Sequence, residues 1–292
     1  VVCFHPLTAY RAQGGKVVFN PKDGWGDRPL ELACGQCQGC RLERSRQWAI
    51  RCVHEAQLHK QNCFITLTYS NENLPKDGSL CLADWQKFAK RLRHKAGPFR
   101  FFHCGEYGEV NLRPHYHACV FGLDFIADRG LWKDTGKFPL FRSPLLDETW
   151  GLGFATVGAM SFKSAAYVAR YVMKKVNGDL AAERYGRVDE ETGEVYFVRP
   201  EYVTMSRRPG IGSAWFEQFK ADVYPSDEVV HEGKRYRPPR FYDCQLEADE
   251  LDVYKVKRRR AVLKRGKELT PARLVVREKC LEASMKVFAR DL

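Results

Sequence analysis

The chain has 292 residues, 44% of them hydrophobic and 29% charged, which suits one large globular domain or two smaller ones and excludes a wholly disordered protein. Lys and Arg number 48 against 36 Asp and Glu, a formal net charge of +12, and that balance favours a polyanionic partner. No apolar run reaches the roughly 18 residues of a membrane span, and no basic stretch followed by an apolar one opens the chain, so neither a membrane segment nor a secretory signal is expected.

Three parts follow one another: residues 1–60, with a cysteine cluster and a helix; residues 61–180, which alternate strand-like and helix-like segments; and residues 181–292, more polar and finally strongly basic. Eleven cysteines, an odd number without an export signal, read as reduced thiols or metal ligands and not as a disulfide framework. In the first part Cys34, Cys37 and Cys40 repeat the CxxC spacing of a thiolate knuckle for a structural Zn²⁺. A tetrahedral site needs a fourth ligand, for which Cys3 and His5 are the nearest upstream candidates, with Cys52 further along inside the helix. Reduced thiols without a metal are the alternative.

In the second part, Cys63 to Tyr69 is rich in β-branched and aromatic residues and predicts a strand. A loop with turn residues follows, and then Leu82 to Lys95, where Leu82, Trp85, Phe88, Ala89 and Leu92 fall on one helical face. Phe99 to Cys104 predicts a second strand, Gly105 to Pro114 its turn, and His115 to Phe121 the antiparallel return. Gly153 to Met160 predicts a further strand and Ser164 to Lys175 a helix. This order predicts an α+β fold with a central, mainly antiparallel sheet and flanking helices. Cys63, Cys81, Cys104 and Cys119 are expected as buried small residues.

His115 and His117 lie two apart at the head of an apolar strand, so they project from the same face, with Tyr116 on the other. Two imidazoles on one strand make half of a metal site. A hairpin turning at residues 109–113 brings Glu106 beside His115, and two imidazoles with one carboxylate leave positions open for substrate oxygens on Mg²⁺ or Mn²⁺, or on Zn²⁺ or Co²⁺. On the helix, Tyr167 and Tyr171 share a face at i, i+4, and Lys174 lies on it too. Tyrosines at helical spacing are usually core, but a phenol beside a metal and a lysine has the help it needs to act as a nucleophile.

Three segments together resemble the rolling-circle replication initiators of the HUH endonuclease superfamily, in particular the replication initiation proteins of small circular single-stranded-DNA bacteriophages of the microvirus and gokushovirus type. Phe64-Ile-Thr-Leu-Thr-Tyr69 resembles the family's first motif, His115-Tyr-His117 its metal motif with Glu106 where a third ligand usually stands, and Tyr167-Val-Ala-Arg-Tyr-Val-Met-Lys-Lys175 its two-tyrosine motif. Cys34 to Arg41 with Trp48 to Arg51 and Glu55, and Met205 to Gly212, resemble flanking segments of the phage initiators, so the likeness spans residues 1–245.

The resemblance implies an HUH endonuclease-like fold and an enzyme that nicks the origin strand of circular DNA. One tyrosine would form a 5′-phosphotyrosine link, the free 3′-OH would prime synthesis, and the strand would be rejoined after one round. It implies Tyr167, Tyr171 and Lys174 as catalytic residues, Glu106, His115 and His117 as ligands of Mg²⁺ or Mn²⁺, and action in the cytoplasm of a bacterial host on single-stranded or supercoiled origin DNA. The spacing Tyr171-x-x-Lys174 matches single-tyrosine relatives and points towards Tyr171 for the first cut, while the order stays open.

Arg170 and Lys175 on the tyrosine helix, and Arg207 and Arg208 before a Pro-Gly-Ile-Gly turn, are candidate DNA contacts. Residues 251–292 carry 13 Lys or Arg against 5 Asp or Glu, centred on Lys257-Arg-Arg-Arg260, and read as a solvated helix face or tail that adds salt-sensitive DNA affinity. No Walker-type phosphate loop occurs, so a helicase and a polymerase are expected from the host. The competing readings are an HUH transposase or relaxase, which the YxxxY spacing and the phage-like flanks disfavour, and a zinc-stabilised DNA-binding protein without nuclease activity.

Overall fold

Alternation along Asn62–Tyr69 becomes alternation of burial in the computed structural model, which describes residues 3–108, 111–134, 136, 139–171, 180–189 and 192–288. In chain order the elements are β1 (Leu7–Arg11), β2 (Val17–Val18), β3 (Pro29–Leu32), α1 (Gln38–Gln57), β4 (Asn62–Tyr69), α2 (Leu82–Ala96), β5 (Arg100–Tyr107), β6 (Pro114–Phe121), β7 (Gly130–Lys133), β8 (Leu140–Arg142), α3 (Pro144–Trp150), β9 (Gly153–Ala159) and α4 (Phe162–Tyr171). There follow α5 (Leu180–Tyr185), β10 (Gly186–Val188), β11 (Val195–Phe197), β12 (Tyr202–Met205), α6 (Ser213–Val223), β13 (Val229–His231), β14 (Lys234–Tyr236), α7 (Arg240–Asp243), α8 (Ala248–Lys264) and α9 (Pro271–Phe288). Two compact units result: Ser45–Cys244, and a second in which the chain's two ends, up to Arg44 and from Gln245 on, come together.

The unit Ser45–Cys244 is built on a seven-stranded sheet of order β12-β5-β6-β4-β9-β8-β7, with every neighbouring pair antiparallel. With helices on its faces it is the α+β architecture that the order of elements predicts. On one face Ile65, Leu67 and Tyr69 of β4 and Tyr116, Ala118 and Val120 of β6 pack with Trp85, Phe88 and Leu92 of α2 and Trp150 of α3. The four residues predicted for the buried stripe of α2 after Leu82 are all buried. On the other face Phe102, Cys104, Cys119 and Phe121 meet Ala165, Val168 and Ala169 of α4 and Ala49 and Cys52 of α1.

Two local expectations change. The stretch from Gly105 on was expected to turn, yet β5 runs through it to Tyr107. Gly105 serves close packing there: a Cβ at that position would stand 2.9 Å from the Tyr202 ring and 3.0 Å from Leu80. Cys81 is partly exposed just ahead of α2, while Cys63, Cys104 and Cys119 are buried as expected.

Helix α3 starts on Ser143, whose hydroxyl is fully buried, accepts from the Leu146 amide at 3.1 Å and donates to the Asp128 carboxylate at 2.8 Å. Ser143→Ala strips the cap and leaves that amide without an acceptor, so it lowers stability by about 1–2 kcal/mol. The readout is a lower urea midpoint with an unchanged slope; a midpoint equal to the parent's would show that the cap contributes nothing.

In the unit made of the chain's ends, β1 pairs antiparallel with β2 and with β3. His5 lies 2.8 Å from Glu278, and the Gln38 side-chain amide donates to Met285 Sδ at 2.7 Å, so the first residues are tied to α9. The basic run Lys257–Arg260 lies on α8. Among the described residues no helix is long and apolar enough to cross a membrane.

Candidate active site

Period-two geometry sorts the chemistry of β6. Tyr116 goes to the α2 face, fully buried, its hydroxyl 2.7 Å from that of Tyr69. His115 and His117 go to the opposite face. The hairpin register pairs Glu106 with His115 and Cys104 with His117, and on the other flank β4 pairs Thr68 with His115 and Thr66 with His117. His103, the other histidine of the hairpin, alternates to the α2 side, where it stacks on Trp85 at 3.7 Å, and burial holds its imidazole well below its ordinary pKa.

Glu106 is the hub. Its Oε1 lies 2.9 Å from His115 Nε2 and 2.6 Å from His117 Nε2, and it accepts from the Tyr167 hydroxyl at 3.0 Å. Tyr167 reaches it from α4, its ring edge-on to His117 at 5.1 Å and to Phe64 at 6.4 Å. Burial alone would raise the Glu106 carboxyl, but the hydrogen bonds from His115 and His117 outweigh it and hold the group below its ordinary value. Burial depresses His117 by more than the Glu106 carboxylate raises it. Burial, reinforced by the Glu106 charge, pushes the Tyr167 phenol far up, so at rest it is a neutral donor.

The donor set fits a divalent cation. His115 Nδ1 faces the Arg113 carbonyl at 2.9 Å, and a carbonyl only accepts, so that nitrogen carries hydrogen. In the neutral ring Nε2 is then a lone pair aimed at a carboxylate oxygen, two acceptors 2.9 Å apart that call for a proton or a metal ion between them. The second oxygen of Glu106 is buried with no hydrogen-bond partner among the described residues. One ligand atom from each of Glu106, His115 and His117 lies within 4.8 Å of the others. Three such donors leave coordination positions for substrate oxygens.

The predicted site residues separate accordingly. Glu106, His115, His117 and Tyr167 are together, and Arg170 holds its guanidinium 5.7 Å from the centre of the Tyr167 ring. Tyr171 is the last residue of α4, one turn beyond Tyr167, with its side chain outside the described residues, and Lys174 and Lys175 lie outside them altogether. Arg207 and Arg208 are exposed and follow β12, whose Met205 pairs with Phe102, at the end of β5 opposite to Glu106. At about 3.3 Å per residue this puts them ~20 Å along the strand from the carboxylate. Thr66, which the strand reading passed over, bonds His117 Nδ1 at 2.9 Å and orients the ring. Its signal was present in the alternation of Phe64-Ile-Thr-Leu-Thr, which puts Thr66 on the histidine face.

Residues 62–176, which include all these groups except Arg207 and Arg208, match the family model of the replication-associated protein ORF2. The chain is 32% identical to the replication-associated protein ORF2 of Spiroplasma virus 4 over 87% of its own length and 83% of that relative. It is 30% identical to the replication-associated protein VP4 of Bdellovibrio phage phiMH2K, over 82% of this chain and 75% of the relative. It is 31% identical to the replication-associated protein ORF4 of Chlamydia phage 1, over 72% and 52% respectively. No solved structure matches the chain.

Proposed function

The chain belongs to the replication-associated protein ORF2 family, and from that premise we propose that it initiates phage DNA replication by nicking and rejoining one strand at the origin through tyrosine. The observation that carries the reading is the Tyr167 hydroxyl, 3.0 Å from Glu106 and beside the His115 and His117 pair, on the one face of the sheet where three metal-competent donors meet. A bound Mg²⁺ or Mn²⁺, held by Glu106, His115 and His117, would polarise a phosphate oxygen and offset the charge that builds there.

The protein's own part is positional. Thr66 and the Arg113 carbonyl hold the two imidazoles in one orientation. The Tyr167 oxygen attacks the scissile phosphorus, its proton goes to solvent, the tyrosine–phosphorus bond forms, and the bond to the 3′ oxygen breaks. The link to the 5′ end conserves the phosphodiester, so no nucleotide cofactor is needed for rejoining. Tyr171, one turn on, performs the second transfer, and Arg170 places a positive charge beside Tyr167. The liberated 3′-OH is a primer for a host helicase and polymerase. Arg207 and Arg208 take backbone phosphates away from the cut, which sets register and not chemistry.

The test is a labelled single-stranded oligonucleotide carrying the phage origin, incubated with Mn²⁺ and run on a denaturing gel. A covalent protein–DNA band is expected with the parent chain, altered in Tyr167→Phe and in Tyr171→Phe and absent from the double variant. The single variant that loses the initial nick names the first nucleophile. Binding without any adduct on a genuine origin would replace this reading by a DNA-binding protein without nuclease activity.

A further inference from the structure

A second group of metal-competent side chains lies in the unit formed by the chain's ends, and nothing in the strand-transfer reading uses it. Cys34, Cys37 and Cys40 sit around the start of α1 and are joined there by Cys3 from the other end of the loop that carries β1 to β3. The four sulfurs all lie within 4.8 Å of one another. The separations are 3.6 Å for Cys3 to Cys34, 3.9 Å for Cys3 to Cys37 and 4.0 Å for Cys34 to Cys40. Four thiolates at the usual zinc–sulfur distance of about 2.3 Å form a tetrahedron with edges of about 3.8 Å. A disulfide would need about 2.05 Å, and all four thiols are free. The spacing is therefore that of four sulfurs facing one common centre.

The backbone is arranged for thiolates as well. The amides of Phe4, Cys34 and Cys37 point at Cys37, Cys3 and Cys34 sulfurs at 3.4, 3.3 and 3.3 Å. Such donors favour the charged form of sulfur. Gly35 takes φ +75° between Cys34 and Cys37, a left-handed turn that a side chain would strain, and it lets the following amides swing back to the sulfur before them. His5 turns away to the Glu278 carboxylate at 2.8 Å.

A third observation concerns the core. Among the described residues, the buried apolar side chains of this unit are Phe4, Ala9, Tyr254 and Leu274. So few cannot supply the burial that a unit of this size needs, and small cores are commonly completed by a metal.

We propose that Cys3, Cys34, Cys37 and Cys40 hold one structural zinc ion, with Cys3 and not His5 as the fourth ligand. Four protein ligands close the coordination sphere and leave no position for substrate, so the ion serves folding and not chemistry. Thiolate donors select zinc over the magnesium and manganese that an oxygen- and nitrogen-rich site takes, so the two sites need not compete for one metal. Binding releases thiol protons and closes the loop from Cys3 to Cys34, and that closure pins the short strands of β1 to β3 to the first turn of α1.

The test uses the full chain, purified under reducing conditions without added metal, with zinc measured by elemental analysis in the parent, Cys3→Ser, His5→Ala and His117→Ala. About one zinc per chain is expected in the parent, His5→Ala and His117→Ala, and less than about a tenth of that in Cys3→Ser after competition with a chelating dye. Should Cys3→Ser be insoluble, the parent alone decides. A mercurial titration in the presence of the dye releases the zinc as four thiols react, and Co²⁺ exchanged for it shows thiolate-to-cobalt charge transfer with the strong visible bands of a tetrahedral site. The proposal is overturned by a metal-free parent that gives no such spectrum with Co²⁺. It is equally overturned by zinc that His5→Ala removes, or by zinc that His117→Ala removes and Cys3→Ser keeps.

Discussion

His117→Ala lowers strand cleavage by about a thousand-fold, the largest single effect expected on activity. His117 Nε2 is the nearest nitrogen to the Glu106 carboxylate, at 2.6 Å, and Thr66 holds its other nitrogen at 2.9 Å. Its loss removes one of three donors to the cation and the ring against which Tyr167 stands edge-on. Charge stabilisation by a bound metal is worth several kcal/mol, and each 1.36 kcal/mol is tenfold in rate, so the expected loss is about three orders of magnitude. A single tyrosine substitution is milder, because the second tyrosine remains, whereas both proposed transfers use the same three donors.

The measurement is single-turnover cleavage of an origin oligonucleotide, with binding of the same oligonucleotide followed by anisotropy. Cleavage should fall while binding changes only a few-fold, which is the pattern of an interaction made in the transition state. Cleavage retained above about a tenth of the parent's would remove His117 from the site's chemistry.

Trp150→Ala destabilises the unit Ser45–Cys244 by about 3–5 kcal/mol, the largest effect expected on stability. Trp150 closes α3 with its ring fully buried, 5.3 Å from Tyr69, 5.8 Å from Tyr116 and 5.9 Å from Phe88, and its indole N–H donates to the Thr68 carbonyl at 3.1 Å. Thr68 pairs with His115 across β4 and β6, so this packing backs the very rung that carries the site. Domains of this kind are stable by only 5–15 kcal/mol, so the loss is a large fraction of the whole. The melting temperature followed by circular dichroism should drop by about 6–20 °C. Trp150→Phe, which keeps a ring and gives up the hydrogen bond, should cost roughly a third as much. A Trp150→Ala protein that melts within about 2 °C of the parent would mean that the α2–α3 face does not hold the sheet.

Local rules decided a good deal. Alternation put His115 and His117 on one side of β6 and Tyr116 on the other, because a strand backbone turns each successive side chain over whatever lies around it. The apolar stripe of α2 and the length of β4 were legible for the same kind of reason, as were the CxxC spacing and the i, i+4 relation of Tyr167 to Tyr171. The hairpin was legible up to its register: a turn of a given length brings Glu106 opposite His115 and nowhere else.

What the sequence could not hold was any relation between segments that no short turn links. Tyr167 is 61 residues from Glu106, and only the packing of α4 on the sheet brings their oxygens to 3.0 Å. Cys3 and His5 were equivalent candidates by position, and the choice between them rests on a loop that returns residue 3 to residue 34 and on Glu278, which arrives from α9 to take the imidazole. Arg207 and Arg208 read as companions of the site until the pairing of β12 with β5 carried them to the far end of the strand. Periodicity is a property of the backbone and repeats wherever the same residues occur. Long-range closure depends on which surfaces bury one another, and that is decided only when the whole chain has packed.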